Sequence, residues 1–289
     1  FSLANNHIND AGSIGIEDTI KALEKDGFIW NGFYETEYEP IIFEKNDIKC
    51  AIICCTDVLN IDILDEDFNK NLLWLDDRII DKTILEYKSN GYFVLLYVHG
   101  GIMFSRYPNP PFRSLLHSKI DLGVDSIVTV HPHVLGCSEI YKGKRIFYSL
   151  GDFIMDGHSD RRRKAAILKL KINRDHKLNY KIIPTNIAND LSTEYPNKKR
   201  TKHIYKSWNS VSKLLSKNSK QYESFYKRKF KVEILNHIAS TLLYQIKNKS
   251  LLDFSKLLFT RAKDFKNMGR WMIKDTSKMR NNLEDKTML

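Results

Sequence analysis

The sequence predicts an α/β fold, a layered sandwich with mixed sheets followed by a helical C-terminal region. Three observations lead there. Short apolar strands alternate with helical stretches through the first half of the chain. The later strands come in pairs separated by short polar turns. After Pro196 the apolar spacing becomes helical throughout.

Phe1–Ala4 reads as the end of a strand, so the chain is expected to be a piece whose N-terminal part lies upstream. Asp18–Asp26 carries Ile20 and Leu23 on one face and stops at Gly27, a helix with a glycine stop. Phe28–Phe33 reads as a strand. Pro40–Glu44 and Ile48–Cys55 read as two strands joined by a turn at Lys45-Asn46-Asp47. Asp76–Ser89 is helical, with Ile79, Ile80, Ile84 and Leu85 as its apolar stripe. Tyr92–Val98 has almost no polar residue, the mark of a strand buried on both faces. Ser105–Pro111 holds three prolines and reads as a loop before a helix at Phe112–Leu122. The segment Asp125–Leu135 contains a buried strand that runs into His131-Pro132-His133. Two hairpins come next, Ser138–Tyr141 with Arg145–Leu150, and Ala165–Ile172 with Leu178–Ile183.

The polar cluster near residues 190–200 marks a boundary between a sandwich domain, 1–195, and a basic helical region, 196–289. Helical spacing there joins Ile204, Trp208, Val211 and Leu215, then Leu235, Ile238, Leu242 and Ile246, then Leu251, Phe254 and Leu258. Charge changes at the same place. From residue 196 onward there are 23 Lys and Arg against 7 Asp and Glu, a net of +16, while the rest of the chain nets −5. That asymmetry suits a polyanionic partner or an anionic membrane surface. No RNA- or DNA-binding signature is visible, so nucleic acid is not the expected partner. No apolar run approaches the ~20 residues that cross a bilayer. The four cysteines lack zinc-finger spacing and read as buried apolar residues, which leans towards a reducing compartment.

Three segments place nitrogen or oxygen ligands just past an apolar run: Asn5-Asn6-His7, His99, and His131 with His133. In open α/β sheets, ligand sites lie beyond the carboxyl ends of the strands. Imidazoles at i and i+2 on extended backbone point to one side, where they can hold a metal or the two ions of a binuclear site. Arg161-Arg162-Arg163-Lys164 reads either as a hold for an anionic substrate or as a solvated loop, and Asp156–Asp160 as a turn or a flexible rim. There is no Gly-rich nucleotide loop and no nucleophile elbow.

These segments resemble the CapA family of bacterial capsule and poly-γ-glutamate synthesis proteins. The matching stretches are Ser2–His7 with Asp10 and Gly12, Gly15–Thr19, Val98-His99-Gly100, Asp121–Asp125 running into Val130–Val134, and Tyr148–Phe153. They cover roughly residues 1–190 and leave the basic tail outside. The resemblance implies the α/β/β/α sandwich of the calcineurin-like metallophosphoesterases. It implies that Asn6, His99, His131 and His133 ligate two divalent ions, Mn, Zn or Fe. His7 would protonate the leaving group, with Asn5, Asp10 and Asp152 in support. The implied activity is a metal-dependent hydrolase that uses a metal-bound hydroxide on an anionic capsular polymer, poly-γ-glutamate or a phosphoester. The alternative is a non-catalytic, polyanion-binding accessory protein of capsule synthesis and export. Family resemblance places the protein at the cell envelope. Two departures stand out. Met103 lies in the stretch where relatives carry a glutamate, and Asp152 stands where asparagine is usual. The aspartate motifs of the fold, including the carboxylate that bridges the metals, would precede Phe1.

Overall fold

The computed structural model describes residues 1–34, 36–58, 71–156, 159–216, 220–229 and 232. It divides into two compact units, Phe1–Tyr222 and Glu223–Leu289. In the second, residues 223–229 are helical. The tail positions from Leu235 onward that carry helical spacing lie outside the described residues, as do 157 and 158 of the expected rim.

The first unit is built on two sheets. The larger has six strands: β1 (Ile41–Lys45), β2 (Ile48–Thr56), β3 (Phe93–His99), β4 (Ser126–Val130), β5 (Leu135–Tyr141) and β6 (Lys144–Leu150). Their order is β1-β2-β3-β4-β6-β5. The centre, β2-β3-β4-β6, is parallel, and each outer strand turns back antiparallel as a hairpin partner. The second sheet is antiparallel and is formed by β7 (Lys164–Ile172), β8 (Leu178–Ile187) and β9 (Thr193–Glu194). Among the described residues four helices complete the unit: α1 (Gly12–Lys25), α2 (Arg78–Ser89), α3 (Pro110–Leu122) and α4 (Lys198–Ser212).

The sheets pack face to face. Val128, Leu135 and Phe147 of the first meet Ala166 and Ile182 of the second, and Ile204 and Trp208 of α4 join the same core. Leu95 and Tyr97 lean on this cluster, so alternation along β3 turns Val94, Leu96 and Val98 to the opposite face. Both faces of β3 are therefore covered, which is why its sequence is almost wholly apolar. Each fully buried side chain of this kind contributes about 1.5–3 kcal/mol. Helix α4, which charge and periodicity group with the tail, thus shares a core with the two sheets.

Local chemistry explains where several boundaries differ from sequence expectation. Helix α3 begins at Pro110 rather than Phe112. Proline is tolerated in a first helical turn, and the Asn109 side chain caps the turn by accepting from Phe112 N at 2.9 Å. Helix α1 begins at Gly12, six residues before the expected start. No side chain caps it and glycine is a poor helix former, but burial of Ile16 holds the first turns. Phe28–Phe33 and Phe1–Ala4 form isolated bridges rather than strands. Ser2 pairs parallel with Asn31, and Phe33 pairs with Leu72. All four cysteines are free and buried, and burial pushes the Cys50 and Cys54 thiols up to about 11.

Candidate functional site

Parallel pairing sets the geometry. Thr56 of β2 is in register with His99 of β3, and His99 with Val130 of β4. Three strand ends are thus level, and His131 comes directly after the last paired residue of β4. The His99 carbonyl accepts from Asp57 N at 2.9 Å and Thr56 Oγ at 3.0 Å, and Gly100 N donates to the Val130 carbonyl at 2.9 Å. The turn after His99 needs glycine. A Cβ on Gly100 would lie 2.8 Å from Asp57 Cβ and 3.0 Å from the Phe112 ring, and Gly101 has φ +97°.

Four of the expected residues come together at this level. Asn6, almost fully buried, places Oδ1 2.9 Å from His99 Nε2, and His131 Nδ1 lies 3.2 Å from the same nitrogen. The His131 and His133 rings are 5.7 Å apart, centre to centre. His133 Nδ1 is 2.8 Å from Asp152 Oδ1, while Asp152 Oδ2 is buried with no hydrogen-bond partner. Asn5 shapes the loop. Its Nδ2 donates to the Leu3 carbonyl at 3.2 Å, and its Oδ1 accepts from His7 N at 2.9 Å. His7 is mostly exposed at the edge. Its Nδ1 lies 2.7 Å from Asp10 Oδ2, and its charge acts on both His99 and His131.

The histidines do not meet by the alternation expected of a strand. His131 has φ +107° and His133 has φ +56°, so neither is on extended backbone. The chain turns sharply at each, and Ser149 and Phe104 nearby are also left-handed, with φ +55° and +63°. Non-glycine residues in this region cost of order 1–3 kcal/mol each, and such strain gathers at functional sites. Ser149 is held by its Oγ donating to the Val134 carbonyl at 2.7 Å, which fixes the loop that presents Asp152.

Burial, then the neighbouring His133 and His7 charges, push His99 down to about 4. Burial, then His99, His133 and His7, push His131 to about 3. Both rings are therefore neutral at pH 7 and keep lone pairs for a ligand. This has a consequence for folding. In the unfolded chain these rings take up protons below about pH 6.5, while the folded protein resists until about 4 or lower. Stability of the metal-free protein should therefore fall as pH drops from 6.5 to 4.5, by an amount on the order of a few kcal/mol. Urea midpoints across that range measure it, and a flat profile would contradict the assignment. His131→Gln should flatten the slope.

Sequence patterns alone miss some residues at the site. Asp57 directly follows β2 and lies beside His99, its N donating to the His99 carbonyl, and a carboxylate just past an apolar strand is the same signal that marks His99. Phe104 lies 6.2 Å from the His133 ring, with the Arg162 guanidinium 5.4 Å over its own ring and Arg161 Nη2 donating to its carbonyl at 3.0 Å. The arginine run is therefore docked beside the histidines rather than simply solvated.

The donor set fits a divalent metal. An amide oxygen and two imidazole nitrogens, neutral at working pH, converge within hydrogen-bond distance, and a carboxylate holds the third imidazole. In the metal-free arrangement one proton on His99 Nε2 can satisfy Asn6 and His131, and an ion would replace it. Among the described residues no three His, Cys, Asp or Glu side chains surround one point. The third donor of the tight group is the Asn6 amide, and His133 is drawn aside by Asp152.

The chain is 29% identical over 245 residues to the capsule biosynthesis protein CapA of Bacillus anthracis, covering 82% of this chain and 58% of that protein. It is 30% identical over 188 residues to the PGA biosynthesis protein CapA of Bacillus subtilis (strain 168), covering 64% of this chain and 50% of that protein. The chain thus spans about half the length of these relatives. Among solved structures, the Termus thermophilus sulfate thiohydrolase SoxB in complex with glycerol aligns with a TM-score of 0.40 at 14% identity, over 66% of this chain and 33% of that one. Residues 1–157, more than half of the chain and including Asn6, His99, His131, His133 and Asp152, match the family described as bacterial capsule synthesis protein PGA_cap, and the chain belongs to that family.

Proposed function

We propose that the protein is a metal-dependent hydrolase of capsule or poly-γ-glutamate synthesis, acting on an anionic polymer. The observation that carries this reading is the convergence of Asn6 Oδ1, His99 Nε2 and His131 Nδ1 within 2.9–3.2 Å at level strand ends. Asn6, His99 and His131 would hold one ion, and His133, oriented by Asp152, would serve a second. Mn, Zn and Fe suit such N/O ligands. A divalent ion bound there supplies Lewis acidity and charge for a developing oxyanion.

The chain's own residues do the rest. Asp10 takes the Nδ1 side of His7 and so leaves Nε2 to carry a proton towards a leaving group at the edge of the cleft. Arg161 and Arg162, fixed on Phe104, add positive charge beside His133, where a polymer carboxylate would approach. That same charge favours the second reading, a polyanion-binding accessory protein without catalysis. The basic region after Pro196 would add binding to polymer or to an anionic membrane surface at the cell envelope. No helix among the described residues is long and apolar enough to cross a membrane.

The test is metal analysis of the purified full-length protein, followed by hydrolysis assays on poly-γ-glutamate and a generic phosphoester with and without added Mn²⁺, Zn²⁺ or Fe²⁺. Bound metal with metal-dependent cleavage is the expected outcome. Absence of metal and of any gain on adding it would leave only the binding reading. Polymer affinity should also weaken steeply as salt rises, since screening acts on exposed charge.

A further inference from the structure

A cavity of about 560 Å³ lies apart from the histidines, walled by Arg163, Asn186, Asn189, Glu194 and Arg200 with Asp160. That is the size of a small-molecule or polymer-unit site. Arg200 is its anchor. Its Nη1 donates to Asp160 Oδ1 at 2.6 Å, while its Nε is buried with no hydrogen-bond partner. A guanidinium offers five N–H groups in a flat fork, and a carboxylate on the Nε and Nη2 edge would take two parallel hydrogen bonds. Arg200 also sits in the first turn of α4 with Lys198 and Lys199, and no acidic residue lies in that turn. Cations at a helix N-terminus oppose the helix dipole, so an anion placed there relieves both the dipole and the orphaned donor.

The other walls narrow the ligand. Asp160 and Glu194 bring negative charge, which a multiply charged phosphate would meet at a cost. Glu194 Oε1 accepts from Asn186 Nδ2 at 2.9 Å, and Asn186 Oδ1 has no partner. These acceptors suit a ligand that carries N–H donors next to a single carboxylate. Continuity points the same way. Arg163 lines the cavity, and the preceding Arg162 and Arg161 lie on Phe104, which neighbours His133.

We propose that this cavity is a subsite for an amide-linked polycarboxylate chain, which seats one carboxylate on Arg200 and Arg163 and leads the chain along the arginine run to the histidine cleft. The link to the cleft rests on the proposed function, but seating in the cavity does not.

The experiment is calorimetric titration of the full 289-residue chain with an N-acetylated γ-linked glutamate hexamer as probe. Arg200→Gln and Arg163→Gln should each weaken binding roughly tenfold or more, with Arg200→Lys intermediate because it keeps charge but loses the fork. Arg200→Lys, checked by its unfolding midpoint, keeps the test decisive if the glutamine variant unfolds. Removing the exposed charges with Lys198→Ala/Lys199→Ala should cost about threefold or less. Absence of binding by the parent overturns the proposal, as does unchanged binding by Arg200→Gln and Arg163→Gln. A loss in Lys198→Ala/Lys199→Ala equal to that in Arg200→Gln would mean a diffuse patch, and displacement by tripolyphosphate at equal concentration would mean a phosphate site. Binding that vanishes only in His131→Ala would place the chain in the cleft alone. Intact binding by a protein with no hydrolase activity leaves the subsite standing and removes only the catalytic reading.

Discussion

If Asn6, His99 and His131 hold the proposed ion, His131→Gly should abolish its binding and at the same time make the metal-free protein more stable. His131 Nδ1 is one of three donors that meet at the end of β3, and a ring cannot be replaced by solvent without losing a ligand fixed by the fold. Loss of a supporting partner alone typically costs 10–100-fold in metal affinity, so loss of a direct ligand should cost at least about 100-fold. The gain in stability has a separate cause. His131 sits at φ +107°, a conformation that glycine adopts freely and L side chains rarely do. Its ring is also buried in a site that resists protonation. Relief of that strain should raise stability by about 1–2 kcal/mol, more at pH 5 than at pH 7. His131→Ala separates the effects, because it removes the ring and keeps the strain. Metal content by mass spectrometry and urea midpoints at both pH values decide the matter. A glycine variant that still holds stoichiometric metal would show that His131 is no ligand, and one less stable than the alanine variant would show that it is not strained.

Much of this arrangement is legible in the amino-acid sequence, and the parts that are not share a physical cause. β3, β4 and the helix before each of them announce themselves, because strands buried on both faces must be apolar and capped helices leave Asn or Asp at their starts. The placement of His99 and His131 at neighbouring ends follows from parallel pairing. What stays hidden depends on contacts distant in sequence or on backbone turns that side-chain patterns do not encode. Nothing local to His133 says that Asp152, 19 residues on, will hold its ring. The left-handed turns at His131 and His133 carry no glycine to betray them, so the segment reads as an extended pair. Helix α4 resembles the start of a basic tail because its exposed face is rich in lysine. Its buried face, Ile204, Trp208 and Val211, carries too few residues to declare a partner, yet two of them complete the core between the sheets. Asp57 gives a weak signal because a single aspartate after a strand is common, and only the register of β2 on β3 sets it beside His99.

The largest expected loss of stability comes from Glu139→Gln, far from the histidines. Glu139 is buried in β5. It accepts from Arg113 Nε at 3.0 Å and Nη2 at 2.6 Å, from Tyr148 at 2.6 Å, and faces His117 Nε2 at 2.6 Å. Burial alone would raise its pKa, but the hydrogen bonds from His117, Arg113 and Tyr148 and the Arg113 charge outweigh it and hold the carboxyl below its usual range. The ionised form is therefore the one the fold requires. Arg113 reaches further: its Nη2 donates to the Leu215 carbonyl at 2.8 Å, and its guanidinium lies 4.6 Å over the Tyr222 ring. The pair thus ties the segment after α4 to α3 and the sheet edge. Glutamine keeps the shape but leaves the Arg113 charge buried without its counter-ion, which typically costs about 3–5 kcal/mol. Urea unfolding should show a lowered midpoint with little change in slope, and amide exchange should speed up first around Leu215 and Tyr222. The pH behaviour has a fixed sign. Because the folded pKa is depressed, the stabilisation is complete above the unfolded value, near 4.5, and is lost as pH falls through the folded one. The variant should lack this acid-range slope. Arg113→Met combined with Glu139→Gln should lose less than the sum of the single changes, since the second substitution removes the orphaned charge. Additive losses would mean that the two groups act independently, and that burial of the surrounding apolar side chains rather than this ion pair holds the edge together.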